Sequence, residues 1–295
     1  MKLVSVIVPT YRRSETLRNA LNSLAAQTYP NFEIVLVDDN DDADWNAAVS
    51  EIVSHFRAEH PSVSLAHIEN HPNQGSARSR NIGIDRASGS YITFLDDDDL
   101  YLPEKIARQL AFMEERGCDY SITDLMLYSE HDRLIDQRIR SYIRDTDKNS
   151  LQEYHLKYHM TGTDSLMFRK SYLLQIGGFA PIDVGDEFYL MQRAIEGDGK
   201  FGYLPGCDIK AYVHTGEGGL SSGDGKIAGE NALFAFKKQY FSQLVSPTKR
   251  YITVRHYAVL AYTELRRKRL FSFLRYSLFS FLISPVCCVK LFISR

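Results

Sequence analysis

The sequence predicts an α/β fold: a doubly wound, mostly parallel sheet with helices on both faces, followed by a basic and apolar helical tail. Three observations predict it. Short β-branched apolar runs recur through the first hundred residues, helix-period segments separate them, and residues 246–295 gather ten Lys or Arg against one acid, Glu264. Parallel strands need crossover connections, and the crossovers cover the sheet's faces. With 295 residues, 44% of them hydrophobic, the chain has enough apolar side chains for one large domain plus an appended segment.

The elements follow in order. "KLVSVIVPTY" is a short apolar run ending at a Pro, the pattern of a strand buried on both faces. "SETLRNALNSLAAQT" then places Leu17, Ala20, Leu21, Leu24 and Ala25 at helical spacing behind a Ser14 cap. "FEIVLVDD" repeats the buried-strand pattern, and Trp45, Ala48, Val49, Ile52, Val53 and Phe56 space a second helix. "VSLAHIE", a helix over Ser76 to Ala87, and "YITFLDD" continue the alternation. Pro103 suits the first turn of a helix striped by Ile106, Leu110 and Met113. Beyond it, "CDYSITDLMLYS" and "SLMFRK" read as strands, "RSYIRDTDKNS" as a polar loop and "DEFYLMQRAIEG" as a helix.

In an open parallel sheet the ligand site lies outside the carboxyl ends of the strands. That rim is where the unusual polar residues fall: Pro9, Thr10 and Tyr11 after the first strand, Asp38, Asp39 and Asn40 after the second, and Asp96 to Asp99 before Pro103. Four adjacent carboxylates repel one another. One reading is a solvated turn with acids ahead of a helix; the other is a site for a hard dication, Mg²⁺ or Mn²⁺, that keeps positions open for phosphates. EF-hand geometry does not fit, because no Gly follows at the sixth loop position and no Glu at the twelfth.

Several classes lose ground. No P-loop or G-x-G-x-x-G motif occurs. The four cysteines lack C-x-x-C spacing, which points to reduced thiols in a cytosolic protein and no zinc site. The opening "MKLVSVIVPT" has no secretory-leader pattern. Nucleic acid is not an expected partner, since the basic excess lies in an apolar tail.

"SVIVPTYRR", "QTYPNFEIVLVDDN" and "NQGSARSRNIGIDRASGSYITFLDDDD", in this order and spacing, resemble a family 2 glycosyltransferase of the GT-A fold, of the bacterial cell-surface polysaccharide type. The resemblance runs strongly over residues 3–105 and more weakly to about 220. It implies a nucleotide-sugar-binding half at 1–105, an acceptor-binding half at 106–245, and a metal-dependent, inverting transfer of one sugar from a nucleotide-sugar, of UDP type, to a saccharide acceptor. The implied nucleotide contacts are Pro9, Thr10, Tyr11, Asp38, Asp39, Arg78, Arg80, Asp96 and Asp97. A carboxylate at Asp39 matches the imide N–H of uracil. The implied metal ligands for Mn²⁺ or Mg²⁺ are Asp98 and Asp96, with His214 as a third; the register is open by one because all four acids are Asp, and Asp99 would cap the following helix. Asp186 would be the catalytic base, with Glu187 behind it, and Thr163 and Asp164 would contact the acceptor. Relatives that polymerise carry Q-x-x-R-W, whereas Gln192 here is followed by "RAIE", which favours single addition. The alternative function is a non-catalytic nucleotide- or glycan-binding module that keeps the pocket.

In the tail, the longest uncharged run, Tyr276 to Val289, falls short of the roughly 20 residues that cross a bilayer, and Pro285 interrupts it. Arg266, Arg267, Lys268 and Arg269 suit an anionic cytoplasmic leaflet. The expectation is a peripheral or monotopic anchor at the inner face of the cytoplasmic membrane, with a helix packed on the domain or on another subunit as the alternative; together with the family resemblance, such an anchor suits a membrane-held acceptor such as an undecaprenyl-diphosphate-linked saccharide, and a soluble acceptor stays open.

Overall fold

The computed structural model describes residues 1–182, 184–213 and 223–293. Its elements are β1 (Val4–Thr10), α1 (Glu15–Ala25), β2 (Phe32–Asp38), α2 (Ala43–Glu59), β3 (Ser64–Glu69), α3 (Ser76–Arg86), β4 (Tyr91–Phe94), β5 (Leu100–Tyr101), α4 (Lys105–Arg116), β6 (Tyr120–Ser129) and β7 (Leu134–Arg138). There follow α5 (Lys148–Tyr158), β8 (Leu166–Arg169), α6 (Lys170–Gln175), α7 (Asp186–Glu196), β9 (Phe201–Val213), α8 (Gly223–Lys238), α9 (Ser246–Arg266), α10 (Leu270–Ile283) and α11 (Pro285–Ile293).

One sheet runs in the order β3-β2-β1-β4-β8-β6-β9-β5, with β7 paired to β6. β1 pairs in parallel with β2 and β4, β2 with β3, and β6 with β9. β8 enters antiparallel between β4 and β6. Both faces of the parallel half are covered, which is why Val4, Val6, Ile7, Val8, Ile34, Val35, Leu36 and Val37 are all buried rather than alternating. Fully burying each such side chain is worth about 2 kcal/mol. Leu17, Leu21 and Leu24 of α1 and Val49, Ile52, Val53 and Phe56 of α2 join that core. α3 lies close on β1: a Cβ at Gly83 would stand 2.5 Å from the Ile7 Cγ2 atom, so only glycine fits there.

Two compact units divide the chain. The first comprises Met1–Lys148, Met160–Pro181 and Asp186–Val213, and holds the sheet; the second comprises Asn149–His159, Ile182–Gly185 and His214–Arg295. Within the second, His256 of α9 stacks on Phe234 of α8 with ring centroids 4.1 Å apart, and the Ser280 hydroxyl of α10 donates to the Val254 carbonyl at 3.1 Å. α10 stops at Ile283, and Pro285 opens α11, where its missing N–H costs no helical bond. No helix among the described residues is long and apolar enough to cross a membrane.

Some local expectations change. Ser14 sits at the α1 cap position without a side-chain bond, whereas Asp42 caps α2 by accepting from the Asp44 and Trp45 backbones at 3.1 and 3.2 Å. α4 begins at Lys105 behind Glu104, so Pro103 precedes the helix and Asp99 does not cap it. β5, β7, β9, α5, α6 and α8 are additional to the sequence reading. β7 is exposed at every residue and therefore carries no apolar alternation. β9 contains Pro205 and Gly206, the latter at φ 138°, and its register against β6 shifts at Thr123/Asp124.

Candidate functional site

β1, β2 and β4 run parallel, so their carboxyl ends deliver Thr10, Asp38 and the Asp96–Asp99 run to one rim. Asp97 ties two of those ends together: it accepts from the Thr10 hydroxyl at 2.7 Å and from the Tyr11 backbone at 3.2 Å. Burial, with Asp98 beside it, pushes the Asp97 carboxyl up to about 7, against the Thr10 hydrogen bond and the Arg13 charge. Tyr11 is half exposed at the rim under the Arg12 guanidinium, and Pro9 stays in the strand opposite Val37.

The β2 end is an internal framework. Asp38 is buried; its Oδ1 accepts from the Asn40 backbone and amide at 3.0 and 2.7 Å, and its Oδ2 lies 3.6 Å from His67 Nε2. Asp39 accepts from the Asn70 amide at 2.9 Å and from the Gln74 and Gly75 backbones at 2.7 and 2.8 Å. It thereby shapes the loop that opens α3, where Gly75 takes φ 80°. Asp38, expected beside the base, faces Asn40 and His67. Arg78, expected at the diphosphate, is exposed, and two positions along a helix place it on the face opposite the buried Arg80.

Arg80 is where three segments meet. Its side chain is 7% exposed; Nη2 donates to Asp96 Oδ1 at 2.6 Å and Nη1 to Asp186 Oδ2 at 2.7 Å. Its guanidinium lies over the Phe179 ring, 5.4 Å from the centroid. Asn81 fixes Phe179 in turn, accepting from its backbone N–H and donating to its carbonyl, both at 2.8 Å. Asp186 is the first residue of α7, and its Oδ1 accepts from the Glu187 backbone at 3.0 Å. Burial pushes its carboxyl up to about 7; Arg80 pulls it down and Glu187 pushes it further up.

Beneath the rim, Asp96, Asp99 and Asp164 each bring one oxygen within 4.8 Å of the others. Asp164 Oδ1 accepts from the Asp96 backbone at 2.9 Å, and Asp99 Oδ1 from the Tyr212 backbone at 2.7 Å. Burial raises Asp164 to about 7, with Asp96 adding to the rise, and raises Asp99 well above its ordinary value, with Asp164 adding there. Asp164, expected on the acceptor side, is buried and bonded to the Asp96 backbone. Asp98 lies outside this trio and pairs with Arg13 at 3.1 Å. His214 falls outside the described residues. The sequence reading passed over Asn70, Asn81 and Arg13, although "ARSRN" placed Asn81 beside Arg80.

The donor set fits a hard dication: every ligand atom is a carboxylate oxygen, and Asp96 and Asp98 reach solvent with 34% and 18% side-chain exposure, each capped by a guanidinium.

The model of the family "Glycosyl transferase family 2" matches residues 5–174. The chain belongs to that family. A curated relative from Escherichia coli, the UDP-Glc:alpha-D-GlcNAc-diphosphoundecaprenol beta-1,3-glucosyltransferase WfaP, is 33% identical over 135 residues, covering 46% of this chain and 50% of that one. Across the curated relatives first matched, the chain spans from about a fifth to about half of their length. Staphylococcus aureus TarS 1–349 with UDP-GlcNAc superposes with a TM-score of 0.60 at 21% identity, over 94% of this chain and 90% of that one. The mannosyltransferase PcManGT from Pyrobaculum calidifontis, with GDP-Man and Mn2+, also gives 0.60, at 18% identity over 99% and 78%. These likenesses establish the GT-A arrangement of the family 2 chain.

Proposed function

We propose that this family 2 chain is a metal-dependent, inverting glycosyltransferase that moves one sugar from a UDP-sugar to a lipid-linked saccharide acceptor in surface polysaccharide synthesis. The observation that carries the reading is the Arg80 bridge, which joins the acid run after β4 and the α7 carboxylate through one guanidinium. WfaP, which by name takes UDP-Glc to a diphosphoundecaprenol-linked sugar, supports the donor and acceptor classes.

Asp39 and Tyr11 would hold the base, and Asp96 with Asp98 would hold Mn²⁺ or Mg²⁺. Asp98 is preferred to Asp99 and Asp164 because its side chain reaches solvent, whereas those two are buried. When bound, the cation supplies charge neutralisation to the departing diphosphate. Asp186 takes the proton of the acceptor hydroxyl as its oxygen bonds to the sugar carbon; the bond from that carbon to the diphosphate breaks, and UDP leaves with the electron pair. Attack from the face opposite the diphosphate inverts the anomeric centre. A carboxylate raised towards neutrality by burial suits this role, since a base works best near the operating pH.

The second unit is proposed to seat on the inner face of the cytoplasmic membrane. α10 presents Phe271, Leu274, Leu278, Phe281 and Leu282 to solvent at helical spacing, next to Arg266–Arg269.

The test is a donor screen: incubate the full chain with Mn²⁺ and a panel of UDP- and GDP-sugars, and measure release of nucleoside diphosphate. The expected outcome is release from one UDP-sugar and, when a saccharide acceptor is added, loss in Asp186→Asn of the acceptor-dependent part of that release. Binding of nucleotide without release from any donor returns the reading to a binding module.

A further inference from the structure

We propose that Arg80 is a positioning residue that couples the two ends of the site: one guanidinium nitrogen holds Asp186, and the other occupies Asp96 until a divalent cation takes that carboxylate. The inference rests on the reading of Asp96 as a cation ligand and Asp186 as the base.

The geometry is specific. An arginine fork ordinarily spends two N–H groups on one carboxylate. Here the fork is split, with Nη1 on Asp186 and Nη2 on Asp96, carboxylates 106 and 16 residues away in sequence. The fork is held from behind by the Phe179 ring, which Asn81 fixes through two hydrogen bonds. Its Nε is buried with no hydrogen-bond partner, so the group keeps a donor in reserve. Facing it are Asp96 from the end of β4 and Asp186 and Glu187 from the start of α7. A guanidinium does not surrender its proton, so this positive charge is present at every working pH.

Two consequences follow from charge alone. A dication and a guanidinium repel when they share one carboxylate, so Arg80 weakens cation binding at Asp96 in the absence of nucleotide. By reciprocity, a cation on Asp96 loosens Nη2 by the same factor and frees it for an incoming anion. Meanwhile Nη1 keeps Asp186 oriented, and its charge opposes the burial that would otherwise protonate that carboxylate. Removing Arg80 therefore moves two measurements in opposite directions: the cation binds more tightly and transfer becomes slower. A merely structural role would weaken both.

The experiment uses the full chain. Mn²⁺ is titrated without nucleotide and followed by its electron paramagnetic resonance signal, for wild type, Arg80→Met and Arg80→Lys; transfer rates are measured in parallel. Arg80→Met is expected to bind Mn²⁺ about tenfold more tightly while its kcat falls by about 100-fold. Arg80→Lys, able to cap one carboxylate only, falls between the two in Mn²⁺ affinity, and carries the test if the Met variant does not fold. An affinity in the variants equal to or weaker than wild type overturns the inference while leaving the cation reading intact. Absence of Mn²⁺ binding to wild type even with UDP present overturns both.

Discussion

The strand-end rim of the first unit buries acids, and the helices of the second bury bases. The first unit holds Asp96, Asp97, Asp99, Asp164 and Asp186, four of which burial raises above the ordinary carboxylate range. In the second unit, Lys237 and His159 are driven well below their ordinary values, first by burial and then by neighbouring cations that include Arg255, while Lys226 pairs with Glu230 at 2.9 Å. Charge held away from water is costly in both places. The rim differs in that its charges converge at the ends of three parallel strands, where a ligand site is expected, whereas the helical unit adds an exposed apolar face. In the proposed function, the first region takes a small charged ligand and the second a surface.

The largest effect that would break this contrast concerns Asp186. Asp186→Asn keeps a hydrogen-bonding side chain on Arg80 but removes the proton acceptor, so kcat should fall by about 10³-fold with UDP affinity within a few-fold of wild type. Steady-state transfer and a UDP titration measure the two quantities. A residual rate within tenfold of wild type would remove Asp186 from the base role and leave the buried acids as structural.

Next in size is the division within the acid run. Asp98→Ala should weaken Mn²⁺ binding in the presence of UDP by about 100-fold, and chelation should stop transfer. Asp99→Ala should change Mn²⁺ affinity by less than about tenfold and lower thermal stability instead, because its oxygen anchors the Tyr212 backbone. The reverse ranking would assign the cation to the buried trio of Asp96, Asp99 and Asp164.

That same acid run marks how far the sequence could be read. The parallel half was legible because "VSVIVPT" and "FEIVLVD" are continuous β-branched runs, and a strand buried on both faces writes itself that way. The position of the rim followed from topology, since Asp38 and Asp96 end strands that run in one direction. The division of labour among adjacent acids did not follow, because it depends on which way each carboxylate turns: Asp97 to Thr10, Asp98 to Arg13, Asp99 to Tyr212. Arg78 and Arg80 illustrate the same limit at short range. Both sit in "GSARSR", yet helix period alone separates a buried guanidinium from an exposed one. Asp164 was visible in "TGTDS" but not as a strut, since its partner is a backbone N–H 68 residues away.

A smaller effect sharpens the surface half of the contrast. Phe271, Leu274 and Leu278 are exposed on one side of α10, while Ser280 and Tyr276 face α9. Replacing the three by Ser should lower partition onto vesicles with anionic headgroups by about tenfold and leave nucleoside diphosphate release unchanged. Sedimentation with anionic and with neutral vesicles reads the effect and its charge dependence. Equal pelleting of wild type and variant would mean that another surface covers this face.

The smallest effect tests the electrical contrast directly, through stability against pH. The acids at the rim hold protons in the folded chain up to about 7 that the unfolded chain releases near the ordinary carboxylate value. Between those limits the folded state binds more protons, so their contribution to stability falls as pH rises, by on the order of 1 kcal/mol per pH unit for each proton held. His256 behaves in the opposite sense. Burial against Phe234 lowers it to about 4, so between about 4 and its ordinary value the unfolded chain binds the extra proton and stability rises with pH. Asp164→Asn should therefore remove part of a falling slope, and His256→Gln part of a rising one, in melting temperatures recorded from pH 4 to 7. If both substitutions change the slope in the same direction, the two units do not store opposite charge imbalances, and the rim's acids cannot be explained by burial.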